Sequence, residues 1–280
     1  MKKLAAAITM VRDGGFFLEK WVSWYGTRLG KENLFILFDG QDQVPPACTQ
    51  GCNTLVLPRV EGNVAQGDRG RAAVISSKAA QLLEQYRFVI GTDADEYVIP
   101  DPSTGLDLAE FLTSLEPGKR VCLSPLGLDV VQNTACEKEL DKSVPVLKQR
   151  THAFLSTRYT KASILCAPAQ WGSGFHRVRG SDFTIVENLY LFHFGCADAA
   201  MVLDRVKDSD LSSRGWDRHL AKRRRLFDTV CRLKVRDFDA WVPRARRMQS
   251  RLRPPYAWNK PSMLGIRILV RIPDRFRNLI

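Results

Sequence analysis

Phe88-Val89-Ile90-Gly91-Thr92-Asp93-Ala94-Asp95-Glu96-Tyr97-Val98-Ile99-Pro100 joins two apolar runs through a cluster of carboxylates. Its apolar run, Phe88 to Ile90, meets a Gly-Thr breaker, the usual sign of a sheet-core strand. The segment therefore reads as a buried strand that ends in carboxylates, with Tyr97-Val98-Ile99 closing at Pro100. Three carboxylates within four residues repel one another unless a cation sits among them, and an oxygen-rich cluster suits Mg²⁺ or Mn²⁺. A solvated acidic turn is the competing reading, because an isolated D-x-D is common. Strand-like apolar residues on both sides count against it.

Working outward, Leu4 to Val11 is a strand ending at the turn Arg12-Asp13-Gly14-Gly15. Phe16 to Leu29 carries Phe17, Trp21, Trp24 and Tyr25 at helical spacing, and Gly30 stops it. Asn33 to Phe38 is a second strand, ending in Asp39-Gly40; Asn53 to Val60 is a third, and Arg69 to Tyr86 a second helix. The order β-α-β-β-α-β, with connections long enough for crossovers, predicts an α/β fold with an open, mostly parallel sheet flanked by helices. Ligands in such sheets bind beyond the carboxyl ends of the strands. Asp13, Asp39, Asp93 and Asp95 all fall at strand ends and are expected at one edge. Singly, each reads as a turn former.

Length and composition allow this: 280 residues, 45% hydrophobic and 26% charged, can bury a sizeable core as one α/β domain or a domain with an appendage. No apolar stretch approaches the ~20 residues of a membrane-spanning helix. Lys2-Lys3 before Leu4 to Ile8 resembles a truncated secretory signal, but the apolar run to Val11 is short for one, and a first strand is the preferred reading. Seven scattered cysteines, with Cys48 and Cys52 lacking a downstream partner pair, argue against zinc and fit a reducing cytoplasm. The net charge of +12 is uneven: Arg205 to Ile280 holds 21 Lys/Arg against 7 Asp/Glu, leaving the rest of the chain about neutral.

Taken in order, TMVRDGGFFLEKWVSWYGTRLG, NLFILFDGQDQ and FVIGTDADEYVIP resemble the N-terminal half of glycosyltransferase family 2-like proteins. These have the nucleotide-diphospho-sugar transferase (GT-A) fold. The subgroup it resembles is related to the family 92 transferases and carries a D-x-D-E-F/Y metal motif. The likeness covers about residues 4–100, and 145–200 more loosely; Arg12-Asp13 stands where the subgroup has a Lys/Arg-Asn-Glu turn. It implies a nucleoside-diphosphate sugar as donor, bound with Mn²⁺ or Mg²⁺ at Asp93 and Asp95, the ion neutralising the leaving diphosphate. Asp95 is then the first metal ligand, Asp93 is shared between metal and ribose, and Glu96 stands behind them. Asp13 and Asp39 belong to the donor side, Asp39 facing the base. Arg69 and Lys78 are candidates for the diphosphate, or plain helix-surface cations.

In the second half, Asp107 to Leu115 reads as a short helix and Arg120 to Val131 as a strand. The subgroup's Lys, apolar strand and His recur as Lys161 and His176, which the resemblance places on the acceptor or diphosphate side. Trp171, in the loop between, is either a sugar platform or a core plug. Leu189 to Gly195 is a strand delivering His193, which the resemblance makes a metal ligand and its apolar setting a core residue. The resemblance also implies an inverting transfer, which needs a carboxylate base. Asp129, Asp182 and Glu187 are candidates, with Asp182, after the His176 loop, the nominal choice.

The expected organisation is a catalytic domain over 1–204, with 1–100 its nucleotide and metal half and 101–204 its acceptor half, and a basic, mainly helical extension over 205–280. Trp216 to Lys234 reads as a helix carrying Arg218, Lys222, Arg223 and Arg224. Such segments bind anionic lipid, or pack as a solvated basic helix. The resemblance favours membrane apposition at the inner face, with a glycan or lipid-linked acceptor in polysaccharide or lipopolysaccharide synthesis. Two rivals remain: metal-dependent phosphoryl transfer or nuclease chemistry, without a Gly-x₄-Gly-Lys loop to cradle phosphate, and nucleic-acid binding, which an acidic edge disfavours.

Overall fold

The computed structural model describes residues 2–60, 64–206 and 217–280. Trp216, and the side chains of Arg218, Lys222, Arg223 and Arg224 in the basic helix, lie outside what it describes.

Strand β1 (Lys3–Val11) alternates its residues between two faces, and each face is covered by a helix. Ala5, Ala7 and Val11 pack with Phe17, Trp21 and Tyr25 of α1 (Gly15–Leu29), while Ala6, Ile8 and Met10 pack with Ile75, Ala79 and Leu82 of α2 (Val64–Gln85). Pairing is parallel from β1 to β2 (Leu34–Asp39), from β2 to β3 (Asn53–Leu57), and from β1 to β4 (Tyr86–Gly91). The four strands thus run in order β3-β2-β1-β4 with their carboxyl ends on one edge.

The segment read as one strand is two. β4 ends at Gly91, and β5 (Glu96–Pro100) leaves the parallel set to pair antiparallel with β9 (Ile185–Cys196). Between them Glu96 N donates to Asp93 O at 3.0 Å, a tight turn that gathers the carboxylates. Helix α1 clamps this turn: Trp21 Nε1 donates to Thr92 Oγ1 (2.9 Å), Tyr25 Oη accepts from Val98 N (2.9 Å) and Tyr97 Oη donates to Phe17 O (3.0 Å). Trp21 is fully buried, so truncating it to Ala would cost ~3–5 kcal/mol and loosen the turn as well.

After α3 (Leu108–Ser114), capped by a reciprocal Asp107–Glu110 box, comes β6 (Cys122–Val131), which ties the molecule together. Beyond α4 (Val146–Gln149) lie β7 (His152–Leu155) and β8 (Ile164–Leu165). β6 pairs antiparallel with β8, itself antiparallel to β4, so β6 runs with the parallel set; β9 is parallel to β6. The carboxyl ends of β4, β6 and β9 therefore open on one edge. A mixed sheet flanked by helices results, consistent with a GT-A-like fold.

The chain continues through α5 (Ala199–Val206), α6 (Asp217–Arg232), β10 (Val235–Asp237), α7 (Phe238–Arg251) and β11 (Ile268–Arg271). Residue 204 is no structural boundary: β11 pairs antiparallel with β7, and Phe238, Val242, Ile268, Val270 and Phe276 enter the main core. The C-terminal quarter is built into the sheet rather than hung from it, because its apolar stretch had a free edge to complete.

Candidate metal centre

Strand register assembles the site. His193 on β9 stands opposite Glu96 on β5 and Asp129 on β6, so three chain-distant residues meet in one row. Asp129 Oδ1 lies 2.7 Å from His193 Nδ1, and Asp95 Oδ2 lies 3.6 Å from Nε2. With Nδ1–H donating to Asp129, the Nε2 lone pair is directed at the Asp95 side, so two acceptors face each other. Ligand atoms of Asp95, Glu96 and His193 all lie within 4.8 Å of one another. Ligands held at about 2.1 Å from one ion sit roughly 3–4.2 Å apart, so side-chain shifts of well under an ångström would close these atoms on a shared cation. Two carboxylates with one imidazole suit Mn²⁺ better than the all-oxygen preference of Mg²⁺.

Tyr159 covers the imidazole, its ring stacked at 3.8 Å and 14°. Its loop is latched to β6, Ser156 N donating to Gly127 O and Gly127 N to Thr160 Oγ1. A Cβ on residue 127 would lie 2.2 Å from the Tyr159 carbonyl carbon, so only glycine admits this approach.

Lys161 is the second centre of charge. Its Nζ lies 2.5 Å from Glu96 and 3.1 Å from Asp93, and its side chain is 2% exposed. Asp93 is thus held by Lys161 and is not one of the three residues whose ligand atoms converge. Desolvation would raise the Asp93 carboxyl, but Lys161 and then Arg71 outweigh it and hold it at about 2. Burial, with Asp93 and Asp95 nearby, pushes Glu96 up, and Lys161 opposes that rise.

The other predicted residues separate into those at this edge and those away from it. Asp39 is buried there, its Oδ1 accepting from Val60 N at 2.7 Å. Asp13 is exposed, in the left-handed region (φ 52°), and bonded to Gln43, while Arg12 reaches across to Asp42. Among the α2 cations, Arg69 is exposed and Lys78 lies over the Phe35 ring. The cation turned toward the site is Arg71, which donates to Met10 O at 2.6 Å; its Nε is buried without a hydrogen-bond partner among the described residues. Its phase with Ile75 and Leu82 on the buried face of α2 was the available signal. Trp171 plugs the core: it is 1% exposed, donates to Ala162 O, and packs over Gly91, where a Cβ would meet it at 2.7 Å. His176 bonds Arg158 O through Nδ1, and burial with Lys161 and Lys260 pushes it from 6.5 down to about 3.

The three alternative base candidates lie apart from one another. Asp129 is engaged by His193. Asp182 lies at the opposite end of β6, its carbonyl accepting from Cys122 Sγ, roughly 20 Å along the strand from Asp129. Following the His176 loop in sequence does not bring Asp182 to the Asp129 edge; its carboxylate lies 3.4 Å from Arg253 instead. Glu187 pairs with Arg246 and lines a cleft of about 350 Å³ at the far end of β5 and β9.

No family model matches the chain, and no curated protein matches it. Among solved structures it is similar to the apo structure of the bifunctional glycosyltransferase WbbM, at 11% identity over 48% of this chain and 24% of that one, with a TM-score of 0.27. It is also similar to mannose-1-phosphate geranyltransferase from Thermus thermophilus, at 14% identity over 97% and 74%, with a TM-score of 0.32. The chain thus spans about a quarter of the length of the first. At these scores neither likeness carries an argument. Topology and site together give a mixed, largely parallel sheet flanked by helices with a candidate divalent-metal centre at its carboxyl edge.

Proposed function

We propose that this chain is a metal-dependent glycosyltransferase that moves a sugar from a nucleoside-diphosphate sugar to a glycan or lipid-linked acceptor, with inversion, in cell-surface polysaccharide or lipopolysaccharide synthesis at the inner face of the membrane. The observation that carries this is the convergence of Asp95, Glu96 and His193 at the carboxyl edge of the sheet. A divalent cation held there would supply Lewis-acid neutralisation of the departing nucleoside diphosphate. Asp129 fixes the imidazole orientation and Tyr159 its plane. Lys161 keeps the Asp93–Glu96 carboxylates from repelling one another, and Arg71 supplies positive charge on the diphosphate side. Asp39 is the candidate for the nucleoside base, and His176, held neutral beside Lys161, belongs to the acceptor rim.

The test is a panel of UDP-, GDP- and dTDP-sugars incubated with the protein and Mn²⁺, with release of free nucleoside diphosphate as the readout. Turnover of one donor, abolished by EDTA and by Asp95→Ala, supports the reading. No turnover with any donor, with and without added glycan acceptors, counts against it.

A further inference from the structure

Between residues 256 and 266, four large apolar side chains stand out of the surface: Tyr256 is 79% exposed, Trp258 60%, Leu264 66% and Ile266 51%. The backbone that presents them is pinned. Ser262 N donates to Leu252 O (3.1 Å), closing the neck of the loop, and Arg253 Nε donates to Trp258 O (2.7 Å). Buried Ala257, Asn259 and Met263 alternate with the exposed tips, and Asn259 Nδ2 donates to Val178 O and Ser181 O. Leu264 sits at φ 50°, strained for a bulky residue, which holds its side chain outward.

Along the chain the charge around them is one-sided, although across the fold Arg246 pairs with Glu187 and Arg253 with Asp182. From Ala240 to Pro273 the chain holds eight Lys/Arg and no Asp/Glu. On α7, Val242, Ala245 and Gln249 face the core, whereas Arg244, Arg247 and Arg251 line the opposite, exposed face that runs to the neck of the loop. Tryptophan and tyrosine with aliphatic tips beside a cationic stripe is the composition of a membrane-interface element. Its charge complements anionic lipid headgroups. The loop is also fastened to the segment after His176, through the Asn259 bonds to Val178 and Ser181.

We infer that residues 253–267 form a docking element for an anionic bilayer, with Tyr256, Trp258, Leu264 and Ile266 entering the headgroup–acyl boundary and the α7 arginines meeting lipid phosphates. The orientation this gives the site rests on the transferase reading above; the membrane binding is measured apart from it.

Sedimentation of the full chain with vesicles tests this, using phosphatidylcholine alone or equimolar phosphatidylcholine and phosphatidylglycerol. The wild type is expected to bind only the anionic vesicles and to be released by salt. Trp258→Ala/Leu264→Ala/Ile266→Ala and Arg244→Gln/Arg247→Gln/Arg251→Gln should each weaken binding at least about tenfold. All six positions are exposed, and unchanged melting would show both variants folded. No binding of wild type to anionic vesicles overturns the inference, as does undiminished binding by the apolar variant. A wild-type dimer that the apolar variant converts to monomer, without any effect on vesicles, also overturns it in favour of a second copy. Calorimetry with nucleoside diphosphate and Mn²⁺ on the same samples separates the two readings: vesicle binding without nucleotide binding leaves docking standing and removes the transferase.

Discussion

Lys161→Met removes the ammonium held between Glu96 and Asp93 while keeping its stem near the Tyr159 and Phe175 rings. The Glu96 side chain is 1% exposed, so its pair at 2.5 Å is unscreened, whereas the Asp93 side chain is 38% exposed and its share is discounted. Removing one partner of a buried pair strands the other and costs ~3–5 kcal/mol. For a chain of this size each kcal/mol moves the melting midpoint by about 2–4 °C, so the variant should melt roughly 6–20 °C lower. Adding Glu96→Gln should recover most of the loss, because no buried charge is then left unpaired. The assay is denaturation of all four proteins of the cycle in EDTA. A single variant within about 1 kcal/mol of wild type, or a double variant no more stable than Lys161→Met, would refute the reasoning.

Three further outcomes are expected. Asp129→Asn should weaken Mn²⁺ binding ~10–100-fold with little change in melting, read by electron paramagnetic resonance, because it frees the imidazole orientation without removing a ligand. Arg275→Ala removes the guanidinium paired with Asp101, whose side chain is 4% exposed but keeps bonds from Ser103 N and Tyr190 Oη, and should cost ~1–3 kcal/mol in urea unfolding while nucleotide binding is unchanged, since Asp101 lies roughly 17 Å along β5 from Glu96. The unfolded chain protonates His176 near its ordinary 6.5 while the folded chain excludes that proton until about 3, so stability should fall as pH drops between those values. His176→Gln should flatten the fall.

The first four strands and both covering helices are legible because β1, β2 and β4 are apolar runs closed by turn residues, and α1 and α2 keep their apolar phase. The acidic stretch was placed at the right edge, yet its second apolar run belongs to a different part of the sheet. Phe88-Val89-Ile90 and Tyr97-Val98-Ile99 look alike in sequence, and only the clamp from Trp21 and Tyr25 shows the break. Asp129 could not be told from Asp182 because the β6–β9 register is a non-local pairing, invisible to any window of sequence. Lys161 stood out by spacing, but its bond to Glu96 depends on the same assembly. In the C-terminal quarter, cations around Ile268-Leu269-Val270 masked a strand whose partner, β7, is only four residues long.

Asp95, with Glu96 and His193, is proposed to bind a divalent cation together with a nucleoside diphosphate. Calorimetric titration with UDP and GDP, each with and without Mn²⁺, on wild type and Asp95→Ala tests it most directly. At least one nucleotide is expected to bind only with Mn²⁺, and that binding to be lost in Asp95→Ala. Binding that is indifferent to Mn²⁺, or that survives Asp95→Ala undiminished, would contradict it.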